Sequence, residues 1–207
     1  MPPSRDGEEA SGVSRRTFLK TAGAGAAASS LLGAAPPGQP PRILGPDAVT
    51  LDFKVNGVLR SVSVEPRVTL LRALRNQLDL TGAKEVCDRG GCGACTVLLD
   101  GEPVCSCLML AVDAAGHEIT TVEGLGTPEK LSPLQAAFVE CDALQCGFCT
   151  PGFVVAGTAF LRQNPNPSLA EVKHGLSGNL CRCGTYPRIF EAVQKAAKAP
   201  AKGAKRG

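Results

Sequence analysis

The ten cysteines are the residues of this 207-residue chain best suited to chemistry. Cys87, Cys92 and Cys95 stand in C-x4-C-x2-C spacing within K-E-V-C-D-R-G-G-C-G-A-C. Three thiolates so spaced hold a [2Fe–2S] cluster when a fourth arrives from further along the chain, and Cys105 and Cys107 are both placed to supply it. Gly90, Gly91 and Gly93 lie among the three thiols. Bare backbone of this kind can approach inorganic sulfide and take positive φ, and its N–H groups can point at the anionic sulfurs. Zinc favours paired C-x2-C hooks and gains nothing from a glycine-packed loop. Further on, Cys146-x2-Cys149 and Cys181-x-Cys183 form two dithiol hooks. A disulfide across C-x-C is strained, so a second iron–sulfur cluster or a four-thiolate zinc are the two readings there. Cys141 reads as a small apolar residue, as does whichever of Cys105 and Cys107 is not a ligand. His117 and His174 lack partners at ligand spacing and read as surface residues. There is no Ser/His/Asp set, no P-loop and no G-x-G-x-x-G between a strand and a helix. Substrate turnover is therefore not expected on this chain.

The elements that must position these thiols change character halfway along. From Thr50, Leu51, Phe53 and Val55 alternate with polar residues, Asn56-Gly57 makes a two-residue hairpin turn, and Val58 to Val64 returns. Thr69 opens a helix carrying Leu70, Leu71, Leu74 and Leu78 at helical spacing. After the first cysteine loop come a strand at Thr96 to Leu99, a second turn at Asp100-Gly101, a return strand at Val104 to Cys107 and a short strand at Ile119 to Val122. Past Gly124-Leu125-Gly126 the signals are helical: Ser132-Pro133, Thr150-Pro151 to about Arg162, the capping box Ser168 to Glu171, and Pro187 to about Lys198. Both hooks fall in breaks where a helix is about to begin, where the helix dipole stabilises thiolate. The expected fold is α+β, an N-terminal β-grasp ferredoxin-like domain followed by a small four-helix bundle that carries the second cysteine set.

Hydrophobic content of 43% supports a core, which must be built from Val, Leu, Ile, Ala and Phe because there is no Trp and one Tyr. Net charge is +3, with Lys195, Lys198, Lys202, Lys205 and Arg206 near the C-terminal end. No aromatics interleave with these cations, so no nucleic-acid partner is expected. Near the N-terminus, Arg15 and Arg16 lie in S-R-R-T-F-L-K, ahead of a weakly apolar run from Thr21 to Ala35. That run is too short and mild for a permanent bilayer anchor, so the chain is not expected to be an integral membrane protein. The pattern resembles a twin-arginine export signal, which takes folded cargo to the periplasm. A Pro/Gly-rich linker follows. The expected organisation is 1–48 signal and linker, 49–126 β-grasp, 127–199 helical, and 200–207 basic tail.

Taken together, C-D-R-G-G-C-G-A-C with a downstream cysteine, Q-C-G-F-C-T-P-G-F and G-N-L-C-R-C-G-T-Y resemble the [2Fe–2S] subunit of the xanthine oxidase family of molybdenum hydroxylases. The resemblance runs from about Val49 to Ala197 and, with the export signal, is nearest to iron–sulfur subunits of periplasmic aldehyde oxidases. It implies two [2Fe–2S] clusters. Cys87, Cys92, Cys95 and Cys107 would hold one, the family's gap after the third ligand selecting Cys107 over Cys105. Cys146, Cys149, Cys181 and Cys183 would hold the other, with Gly91 and Gly93 as cluster-loop backbone. Gln145 and Cys183 match positions that contact the pterin of a molybdenum cofactor in a large partner subunit. Electrons would pass from molybdenum through the helical-domain cluster and the β-grasp cluster to FAD on a third subunit. The alternative within the family is an N-heterocycle hydroxylase subunit that passes electrons to a cytochrome. A stand-alone ferredoxin shuttle, the alternative from another class, has no need of the second cysteine set. Val86 departs from the family pattern, which places glycine before the first ligand.

Overall fold

The computed structural model describes residues 44–198. Arg15, Arg16, most of the linker and the tail at 200–207 lie outside the described residues. Strands β1 (Val49–Val55) and β2 (Val58–Val64) form the first hairpin, with Val55 paired to Val58. Its turn needs two left-handed residues, and Asn56 (φ 52°) and Gly57 (φ 79°) supply them. The second hairpin, β3 (Thr96–Leu99) and β4 (Glu102–Cys105), repeats the device with Asp100 (φ 50°) and Gly101 (φ 90°). Strand β5 (Glu118–Thr120) joins the hairpins, parallel to β1 and antiparallel to β3, in the order β2-β1-β5-β3-β4. Helix α1 (Leu70–Asn76), capped by the Thr69 side chain, lays Leu70, Leu71, Ala73 and Leu74 on one face of the sheet. There they meet Phe53, Val55, Val62, Val64, Val97 and Ile119.

Helices α2 (Pro133–Glu140), α3 (Thr150–Gln163), α4 (Leu169–Gly175) and α5 (Tyr186–Lys198) follow. Ser132 and Ser168 each close a reciprocal capping box, with Gln135 and Glu171 respectively. These helices surround a second core that includes Leu134, Phe138, Phe153, Val172, Leu176, Ile189 and Val193. A third apolar seam joins sheet to helices: Leu98 of β3 packs with Val155 and Ala159 of α3. The arrangement is α+β, as expected.

Three boundaries differ from expectation. Helix α1 stops at Asn76, and Asp79 (φ 56°) turns the chain so that Leu78 packs on the core from outside the helix. The return strand ends at Cys105, because the Asp100-Gly101 turn pairs Leu99 with Glu102 and a four-residue β3 runs out opposite Cys105. Strand β5 ends at Thr120, where the Asn56 side chain intervenes. Asn56 Oδ1 accepts from Thr121 N (2.9 Å) and Asn56 Nδ2 donates to Thr121 Oγ1 (3.0 Å), and a 3-10 turn, Val122–Gly124, replaces the expected extension.

Candidate metal centres

The first cysteine loop, between α1 and β3, is tied to α1 over its first part. Arg72 of α1 donates to Glu85 and Asp88, each at 3.1 Å, and Arg75 donates to the carbonyls of Thr81 and Ala83 at 2.8 Å. Within the loop Asp88, Gly90 and Gly93 take left-handed φ values of 50°, 68° and 69°. The consequence is a set of N–H groups turned toward sulfur. Gly90 N donates to Cys107 Sγ at 3.2 Å. The Cys87 thiol is drawn down to about 7, chiefly by the N–H of Arg89 and then by Cys92, with the Gly91 and Cys92 N–H groups adding to the effect. Burial pushes Cys107 up to about 11 and raises Cys95. Gly91 matters here for its N–H alone, since a methyl added to it meets open space. Gly93 cannot carry one, because it would lie 2.5 Å from Asn179 Nδ2 and 2.6 Å from Gly178 O.

Cys107 is buried and lies beside Cys95, while the half-buried Cys105 meets Cys95 as well and lies 3.9 Å from the carbonyl of Gly90. Residues two apart on a continuous strand share a face. The two thiols part company because β4 ends at Cys105, and Ser106 is pinned by its hydroxyl to Cys95 O (2.7 Å). Val86 is exposed, so a side chain in place of glycine meets no obstruction before the first ligand position.

The second set lies at the starts of α3 and α5. Gly147 (φ 78°) and Gly184 (φ 82°) turn the chain beside Cys146 and Cys183, and Cys149 is the N-cap of α3 without a side-chain cap bond. Cys146 and Cys183 are exposed, Cys149 is half-buried and Cys181 is buried. Burial opposes the Cys181 thiolate, yet hydrogen bonds from the Thr185 hydroxyl (3.1 Å) and the Thr185 backbone bring the thiol down to about 7. Burial, then the neighbouring Cys181, pushes Cys149 up to about 12. The Phe148 N–H lowers Cys146. Beside Cys149, Thr150 Oγ1 is buried without a hydrogen-bond partner.

Within each set the thiols meet in pairs: Cys87 with Cys92, Cys95 with Cys107, Cys146 with Cys183 and Cys149 with Cys181. None of the ten cysteines is in a disulfide. Among the described residues no three ligand-type side chains converge on one metal position. Two thiols for each of two irons is the donor set of a [2Fe–2S] cluster, and the N–H groups turned toward sulfur suit its negative charge. The donors therefore fit [2Fe–2S] in both sets.

Gln145 is exposed on a cleft of about 390 Å³ lined also by Asp142, Leu144, Gly184, Thr185 and Arg188, so it stands close in space to the Cys183 segment. Arg188 of α5 is ion-paired with Asp142 at this cleft. His117 and His174 are exposed as expected, although His117 Nδ1 lies 2.5 Å from Asp100 Oδ2. Cys105 and Cys141 are half-buried against the two cores. Sequence reasoning passed over Tyr186, whose hydroxyl accepts from Cys181 N at 2.8 Å, and Asn179. The signal for Tyr186 was present: it is the chain's one Tyr, three residues beyond Cys183, and a Tyr packed into a core needs a partner for its hydroxyl.

Comparison with known proteins matches residues 53–120 to the 2Fe-2S iron-sulfur cluster binding domain, residues 121–194 to the [2Fe-2S] binding domain and residues 12–31 to the twin-arginine translocation pathway signal sequence. The aldehyde oxidoreductase iron-sulfur-binding subunit PaoA of Escherichia coli O157:H7 is 42% identical over 205 residues, covering 89% of this chain and 88% of the relative. The nicotine 6-hydroxylase small subunit of Paenarthrobacter nicotinovorans is 53% identical over 147 residues, 71% of this chain and 88% of the relative. Among solved structures, quinoline 2-oxidoreductase from Pseudomonas putida 86 matches with TM-score 0.71 and 47% identity, over 74% of this chain and 96% of that chain.

Proposed function

Because the chain belongs to the [2Fe–2S] iron–sulfur subunits of the xanthine oxidase family of molybdenum hydroxylases, we propose that it is the electron-transfer subunit of a periplasmic aldehyde-oxidising complex. Bound in the two cysteine sets, the clusters would each take up and release single electrons. In this reading Cys87, Cys92, Cys95 and Cys107 hold the β-grasp cluster, and Cys146, Cys149, Cys181 and Cys183 the helical one. The residues around them supply what an anionic cluster needs: N–H groups aimed at sulfur from Arg89, Gly90, Gly91 and Phe148, and the hydroxyl of Thr185. Gln145 and Cys183, exposed near the cleft, face a large subunit with a molybdenum-pterin cofactor. The β-grasp side faces an FAD-binding subunit. The division of the chain near residue 126 and delivery by Arg15 and Arg16 to the periplasm belong to the same reading.

The observation that carries the aldehyde assignment is the reach of similarity. The match to PaoA covers 89% of the chain, beyond the 71% shared with the nicotine 6-hydroxylase subunit, and a twin-arginine signal precedes the cluster regions. The higher identity to that hydroxylase subunit, 53%, keeps an N-heterocycle substrate and a cytochrome acceptor as the second reading. The test is purification with native partners, analysis of iron, labile sulfide, molybdenum and flavin, and an activity panel of aldehydes, purines and N-heterocycles. Aldehyde turnover in a flavin-containing complex is the expected result. Turnover of N-heterocycles alone, with haem in place of flavin, would select the second reading, and a chain without iron or sulfide would defeat both.

A further inference from the structure

Two hydrogen bonds join the two cysteine loops, and no cysteine thiol takes part in either. Asn179 is a buried polar residue, 7% exposed, two positions before Cys181. Its Nδ2 donates to Gly93 O at 3.0 Å, across the boundary between sheet and helices. The same carbonyl accepts from Thr96 N (3.2 Å) and Thr96 Oγ1 (2.6 Å), so three donors fix one oxygen beside Cys92. The next residue completes the junction: Leu180 N donates to Cys92 O at 2.9 Å. Cys92 and Cys181 are thereby joined through one peptide hydrogen bond, with Leu180 the only residue between that bond and Cys181. From the other side Gly152, in the first turn of α3, packs so closely that a methyl on it would lie 2.3 Å from Gly93 O. Side chains are thus excluded at Gly93 and Gly152, while Asn179 supplies a side-chain hydrogen bond across the junction.

We propose that Asn179 is a positioning residue that holds the Leu180 N–H on the Cys92 carbonyl and so sets the electronic coupling between the two cysteine sites. An apolar side chain of similar size would fill the space without the amide's desolvation cost, and Gly93 O would still accept from Thr96 N and Oγ1. What the amide adds is register. It fixes one loop against the other, and the register decides whether the neighbouring backbone bond forms. The inference rests on the reading of both sets as clusters.

The test uses the complex with its partners, reduced by dithionite and examined by low-temperature EPR, for wild type, Asn179→Ala and the isosteric Asn179→Asp, which has no amide donor. Val172→Ala, in the helical core away from the junction, is the control for general loosening. Expected are unchanged iron and labile sulfide in both Asn179 variants, with each cluster's own signal kept. The splitting from interaction between the two spins should diminish, and substrate-driven reduction of the β-grasp cluster should slow several-fold, while Val172→Ala keeps both properties. Unchanged splitting and rate in the Asn179 variants would overturn the proposal. So would an equal loss in Val172→Ala, or loss of the helical cluster from both Asn179 variants, which would make Asn179 an assembly residue instead. Wild type lacking iron or sulfide would count against the functional reading rather than against this inference.

Discussion

Replacing Gly152 by alanine isolates the contact between the first cysteine loop and α3. In a helix this exchange ordinarily stabilises by about 1 kcal/mol. Here the added methyl would sit 2.3 Å from Gly93 O and 3.0 Å from Ala94 Cα, both backbone atoms, where ordinary contact begins at 3.4 Å. The carbonyl cannot retreat freely, because Thr96 and Asn179 hold it with three hydrogen bonds. Overpacking of this kind costs about 1–3 kcal/mol, and breaking one of the three bonds adds about 1 kcal/mol. The costs outweigh the propensity gain, leaving a net loss of about 1–3 kcal/mol. Gly157→Ala is the matched comparison on the same helix. Its methyl would meet Leu134 Cδ2 at 2.9 Å and Val193 Cγ2 at 3.7 Å, which are ends of side chains that can shift. Its net effect should lie within about 1 kcal/mol of zero. Thermal unfolding of the cluster-loaded chain, followed by far-UV circular dichroism and by the visible absorption of the clusters, reads the difference at about 2–4 °C per kcal/mol. Gly152→Ala melting at or above wild type, or below it by less than Gly157→Ala, would refute the argument.

Cys105→Ser should leave iron content unchanged, whereas Cys107→Ser should lose the β-grasp cluster; the opposite pattern in metal analysis would transfer the ligand role to Cys105. With clusters removed, iodoacetamide at neutral pH should label Cys87 well before Cys107 and Cys149, because a thiol at about 7 is half thiolate there while thiols at about 11 and 12 are almost wholly protonated. Labelling of Cys87 should climb as pH rises through about 7 and level off above it, and peptide mass spectrometry that finds Cys149 labelled first would contradict this. Arg15→Lys combined with Arg16→Lys should hold the assembled, cluster-loaded complex in the cytoplasm, and fractionation that recovers it at normal levels from the periplasm would remove the export assignment.

What could be read from the sequence was local. Asn56-Gly57 and Asp100-Gly101 announced both hairpins through the left-handed backbone they tolerate, and Ser132-Pro133 and Ser168 to Glu171 announced two helix starts, because a cap is made by residues three apart. Cysteine spacing marked the C-x4-C-x2-C run and the two dithiol hooks for the same reason, since each is a short local pattern. What stayed hidden depends on residues far apart in the chain. Nothing near Val122 says that strand β5 stops at Thr120, since the Asn56 side chain stops it. Nothing near Gly152 marks it as different from Gly157, since the carbonyl it faces belongs to Gly93. Asn179 looked like part of a cysteine motif, and its partner lies 86 residues away.

Strand β3 is buried on both faces, Val97 toward α1 and Leu98 toward α3. This has a consequence for how the chain is made. A ribosome delivers the strands and α1 before α3, so the newly finished sheet carries a bare apolar face around Leu98 until Val155 and Ala159 emerge to cover it. A nascent chain halted between the two halves is therefore adhesive, and a truncation that keeps the first cysteine set alone inherits that surface permanently. The helical half acts for the sheet as a built-in chaperone, one that never dissociates.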